Sequence, residues 1–154
     1  MGVPMQLKGF QVRSGYIIAV GEWELDLHND YDFVAADHDR ATASARVLFQ
    51  RSRGDWVDKS QPESVALDFD GVSRFVAQPG DPSREGDRKT CRFIGFLYPE
   101  DNAMHGYLDD HSEPAQDLIV GFEDESAVKV HADLVAIRMD AQLDDAADEA
   151  SPRS

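Results

Sequence analysis

Imidazole and carboxylate groups together can hold a divalent transition metal or move protons. They gather most densely in the segment HGYLDDH, where His105, Asp109, Asp110 and His111 fall within seven residues and Glu113 follows closely. A metal centre needs ligands fixed in space, and the surrounding span Pro99–Gln116 reads as a loop that only Met104, Tyr107 and Leu108 could pin to the body. Its spacing matches no recognised ligand motif. The stretch Asp26–Asp32 has some of the alternating oxygen donors of a calcium loop but lacks the glycine and the closing glutamate. No metal ligand set is assigned on this basis, and no cofactor is expected.

Other reactive residue types stand alone. Cys91 is the only cysteine, which excludes an intrachain disulfide and a cysteine-based zinc site. It lies in the apolar run CRFIGF, the setting of a buried inert thiol. His131 lies between Lys129 and Asp133, opposite the apolar side of its strand, where a solvated or salt-bridged imidazole is expected. His28 reads the same way, and Glu22 and Glu24 share the wet side of one strand. No G-x-S-x-G, Walker or G-x-G-x-x-G sequence is present, so no catalytic residue is assigned. Arg53-Gly54-Asp55 reads as a tight turn in which glycine supplies backbone freedom and Trp56 and Val57 anchor the turn in the core.

Charge is the most unusual global property. Thirty acidic residues against fifteen basic ones give a net charge of −15, which repels nucleic acid and anionic membrane and draws basic partners. The acids are also segregated. From Phe93 to Val128 there is no Lys or Arg, while Glu100, Asp101, Asp109, Asp110, Glu113, Asp117, Glu123, Asp124 and Glu125 all fall there. Apart from Asp117, these are the expected partner-binding residues, provided that Pro99–Gln116 lies beside the tip Glu123–Glu125. Immunity proteins that neutralise basic nuclease toxins use charge in this way, by analogy only.

The elements that must position these groups are strands. Alternation marks Tyr16–Val20, Glu22–His28, Tyr31–Ala36 and Ala41–Phe49, the last with Ala41, Ala43, Ala45, Val47 and Phe49 on one side. Val65–Phe69 and Val72–Ala77 flank an Asp70-Gly71 hairpin signal. Thr90–Tyr98 is strongly apolar, and Gln78–Lys89 reads as an exposed, mobile loop. Asp117–Met139 reads as an antiparallel hairpin. Only an odd-length loop puts Leu118, Val120 and Phe122 on the same face as Val128, Val130 and Ala132, and a loop Asp124–Ser126 pairs Phe122 with Val128. The expected fold is all-β, an antiparallel sandwich or small barrel of about eight to nine strands. One domain spans 1–140, and 141–154 forms a disordered acidic tail.

The segments FQRSRGDWV (Phe49–Val57) and VALDFDGVSRFVAQPGDP (Val65–Pro82) resemble a group of short uncharacterised bacterial proteins. The resemblance implies a bacterial, cytosolic, β-rich domain and no particular activity. The start MGVPMQLKGFQ lacks the pattern of a signal peptide, and no run of about 18 apolar residues occurs, so a cytoplasmic location is expected. Three functions follow in order. The first is a non-enzymatic domain that binds a basic protein partner through its acidic surface. The second is a small-molecule-binding barrel with a cavity lined by Tyr16, Trp23, Phe33, Phe49 and Phe96. The third is a metal-dependent enzyme built on the His105–His111 loop.

Overall fold

The computed structural model describes residues 3–13, 15–87, 89–100 and 113–139. The HGYLDDH segment, Asp101 and the expected tail 141–154 lie outside these residues. Twelve strands are present among the described residues: β1 (Gln6–Lys8), β2 (Gln11–Arg13), β3 (Ile17–Val20), β4 (Trp23–Asp26), β5 (Tyr31–Asp39), β6 (Ser44–Arg51), β7 (Ser64–Asp70), β8 (Arg74–Gln78), β9 (Cys91–Leu97), β10 (Asp117–Phe122), β11 (Ala127–His131) and β12 (Leu134–Met139). They form a five-stranded sheet β1-β12-β7-β6-β5, a four-stranded sheet β8-β11-β10-β9 and a three-stranded sheet β2-β3-β4.

The all-β expectation holds, and the count rises from eight or nine to twelve among the described residues. Two of the additional strands, β1 and β2, have three residues each, too few for alternation to register. The third, β12, is the end of the expected hairpin. The chain leaves the four-stranded sheet after His131, and β12 pairs antiparallel with β7 and parallel with β1. The Asp70-Gly71 hairpin does not form either. Both edges of β7 are taken, by β6 and β12, so the chain crosses at Gly71 and β8 pairs with β11.

The β10–β11 hairpin keeps the parity that the apolar pattern demands. Its three-residue loop is Glu123–Glu125, one position earlier than expected, so Val120 pairs with Val128 and Leu118 with Val130. The loop closes through Glu125 N–H to Phe122 C=O at 3.0 Å and Phe122 N–H to Ser126 C=O at 2.9 Å, with Glu125 at φ 73°. That is a type I turn followed by a left-handed residue, a common three-residue hairpin closure. A shift by two leaves every side chain on its intended face.

One core receives side chains from all three sheets, including Ile18 and Leu25, Val47 and Leu67, and Ile94, Phe96 and Val120, each fully buried. Each such side chain contributes about 1.5–3 kcal/mol of transfer free energy. The Phe33 ring bridges two sheets, with centroids 4.5 Å from Phe122 and 6.1 Å from Phe49. A register shift at Val34 in β5 changes the phase, so Ala36 rather than Ala35 packs against the core. In β6 the buried alternation begins at Ala45. Ala41 and Ala43 belong to the preceding turn, where Ala43 adopts φ 51°.

Gly71 marks the crossing between sheets. Its φ is +69°, and an added Cβ would lie 2.2 Å from Asp133 Oδ2. Gly71→Ala is expected to lower stability by about 1–3 kcal/mol, read from the urea midpoint. An unchanged midpoint would mean that the crossing relaxes freely.

Candidate binding surface

The antiparallel pairing of β9 and β10 decides where the expected acids fall. Asp117 lies opposite Leu97 and Phe122 opposite Cys91. Glu100 and Glu113 therefore stand beyond one end of β10, and Glu123–Glu125 stand at the other, roughly 17–20 Å away by strand rise. These acids do not form one continuous end. Asp101, Asp109 and Asp110 lie outside the described residues.

Asp124 does not face solvent. It is 5% exposed, and its Oδ1 accepts from Ser126 N–H at 2.9 Å and from the Ser126 hydroxyl. Its backbone carbonyl accepts from Asp81 N–H at 2.7 Å. That contact docks the segment after β8 on the hairpin tip. The Gln78–Lys89 span, expected as an exposed, mobile loop, holds a 3-10 turn at Pro82–Asp87. Asp81 starts this turn by accepting from Ser83 N–H and Oγ at 2.9 and 2.8 Å, which lowers its carboxyl pKa. At the tip, Glu125 is exposed and Glu123 half-buried.

Asp117 is also spent internally. It is 2% exposed and receives two bonds from Arg74, one of them from Nε at 3.4 Å. His131 sits beside this pair, its Nδ1 2.9 Å from the Gln116 carbonyl oxygen and 3.7 Å from Asp117 Oδ1. His28 is held likewise, Nδ1 to the Cys91 carbonyl oxygen at 2.7 Å. Both imidazoles are built into the fold rather than simply solvated. Cys91 is fully buried, and desolvation pushes its thiol pKa far up. Among the described residues, no three His, Cys, Asp or Glu side chains are grouped to hold a metal ion.

A different acidic face is assembled by register across β5, β6 and β7. Asp39, Ser44 and Asp70 form one row, and Asp37, Arg46 and Asp68 form the next. A hollow of about 390 Å³ lies here, lined also by His38 and Arg138. Arg46 binds Asp68 through Nε at 2.6 Å and Nη2 at 3.0 Å, and Arg138 Nε reaches Asp68 Oδ2 at 2.7 Å. The bond to Asp68 raises the Arg46 pKa. Both cations bind the Asp68 carboxylate and Arg46 also feels the charge of Asp37, while Asp37, Asp39 and Asp70 are exposed; four Asp less two Arg leave the hollow at −2. These acids are up to 33 residues apart in the chain, and no local pattern singled them out.

On the other side of β5 a groove of about 530 Å³ is lined by Phe33, Val34, Ala36, Ala77, Phe122 and Val128 and, about equally, by polar groups that include those of Gln78, Lys89 and Ser126. β5 and β8 are both sheet edges among the described residues. Only Phe33 of the five expected cavity residues borders this groove. Phe49 and Phe96 are fully buried core, Trp23 packs against the core, and the Tyr16 ring stands 5.4 Å from His28.

Trp56 also departs from expectation. Val57 is buried, but Trp56 is 70% exposed. Gly54 is needed for space rather than for an unusual φ, because an added Cβ would lie 2.0 Å from the Trp56 ring.

Removing Arg74 isolates a buried carboxylate. Arg74→Met is expected to cost about 3 kcal/mol at neutral pH. The urea midpoint at neutral pH checks this, and an unchanged midpoint would mean that Asp117 finds another counter-charge.

No family model, curated protein or solved structure matches this chain.

Proposed function

We propose that the protein is a non-enzymatic binding domain for a basic protein segment, received along the outward side of β5. The observation that carries this reading is the surplus of exposed carboxylates at Asp37, Asp39 and Asp70, whose neighbouring guanidinium groups are already bound to Asp68. A cation arriving there meets a hollow whose side chains sum to −2, and the net charge of −15 steers it inward from a distance. Glu123 and Glu125 at the hairpin tip, with Glu100 and Glu113 beyond the far end of β10, extend the same sign over the surface. A second reading is favoured by the groove beside Phe33. Its volume of about 530 Å³ suits a small molecule, as in the barrel-type alternative.

The triple variant Asp37→Asn, Asp39→Asn, Asp70→Asn tests the first reading against a lysine-rich peptide. Asn at position 39 can still accept from Ala41 N–H, as the native carboxylate does at 2.9 Å. Titration calorimetry at low salt should show about tenfold weaker binding, and high salt should narrow the difference. Equal affinities at low salt would reject the β5 face. Loss confined to a Glu123→Gln, Glu125→Gln variant would move the site to the tip.

A further inference from the structure

Among the described residues Trp56 is the most exposed aromatic side chain, and it is held in place. Its indole Nε1–H donates to the Asn29 carbonyl at 2.9 Å, fixing the ring edge. The ring lies over Gly54, where no Cβ intervenes. The Gly54 carbonyl accepts from the Lys59 ammonium at 2.9 Å, and Arg51 Nη1 donates to the carbonyls of Lys59 and Gln61 at 2.9 and 2.6 Å. Asp58 closes the turn by accepting from Ser60 N–H and Oγ at 2.9 and 2.7 Å. Ser52 N–H, bonded to the Asp30 carbonyl at 2.8 Å, ties the loop to the start of β5. Burial explains none of this construction, because the ring faces water.

The surroundings select the ligand. Among the described residues the other large exposed apolar side chains are Val3, Val34, Val76 and Tyr98, none of them in the loop that carries the ring. The indole has already used its only hydrogen-bond donor, which leaves the π-face, whose quadrupole attracts cations. Within 29–32 and 51–63, the segments that build the platform, Asp30, Asp32, Asp55, Asp58 and Glu63 oppose Arg51, Arg53 and Lys59, five charges to three. Of those cations, Arg51 and Lys59 are engaged on backbone carbonyls.

We infer that Trp56 is a preformed platform for an arginine side chain of the basic partner, stacked on the open indole face. This rests on the reading of the domain as a binder of basic protein, and it names the contact. Asn29 lies in the turn just before β5, and Asp37 lies near the strand's far end, roughly 20 Å from Tyr31 by strand rise, so a partner laid along β5 meets both.

The experiment uses a short arginine-rich peptide and the same peptide with citrulline in place of arginine, which keeps the shape and removes the charge. Binding is measured by calorimetry and by indole emission, with Trp23→Phe as the background so that Trp56 is the only reporter. Trp56→Leu should weaken binding of the arginine peptide about three- to tenfold, with Trp56→Phe in between, since phenylalanine keeps a π-face. The citrulline peptide should not shift the emission. If the arginine peptide binds with the expected salt and Asp37/Asp39/Asp70 dependence but Trp56→Leu binds as well as the wild type, the platform is rejected and the acidic-face reading stands. If citrulline and arginine peptides quench alike, cation stacking is rejected. If the arginine peptide binds neither protein, both readings fall.

Discussion

The structure turns on a cluster of backbone hydrogen bonds where the chain changes sheets. Asp133 N–H donates to the Asp70 carbonyl at 3.0 Å, and the Asp133 carbonyl accepts from Gln6 N–H at 3.0 Å. Close by, Ser73 N–H donates to the His131 carbonyl at 2.9 Å and Val72 N–H to the Ala43 carbonyl at 2.8 Å. Both crossings between the five- and four-stranded sheets, after Asp70 and after His131, are therefore pinned together. Backbone groups need partners, and the N–H groups of Asp133 and Ser73 each find theirs in the other crossing. The core shared by the sheets follows from this junction, because it sets β8 beside β11 and β12 beside β7.

Most strands could be read from alternation, since period-two burial is a local property. Val65, Leu67 and Phe69 are buried as expected, as are Leu118, Val120 and Phe122. The hairpin's parity was legible for the same reason, while its exact register depended on a left-handed Glu125 that alternation does not encode. Sheet membership was not legible. Asp70-Gly71 carries a strong hairpin signal, yet the edge that β8 would have used is occupied by β12, whose sequence comes more than sixty residues later.

The candidate site was harder still. The acidic run from Phe93 to Val128 drew attention because it is contiguous, but Asp117 is neutralised by Arg74 and Asp124 is folded into its own turn. The carboxylates that do stand together, Asp37, Asp39 and Asp70, become neighbours only through cross-strand register. Trp56 was misplaced for a related reason. Hydrophobicity alone sends a tryptophan inward, whereas the bond to Asn29 and the bare backbone at Gly54 hold the ring outside.

Cys91 gives the molecule a built-in clock. Its Sγ is within 3.5 Å of the Phe93 carbonyl oxygen, and the residue has no exposure in the native fold. Alkylating reagents require a thiolate, which burial suppresses and unfolding restores. The labelling rate of this single thiol therefore counts excursions that open β9, the end strand of the four-stranded sheet, without any engineered probe.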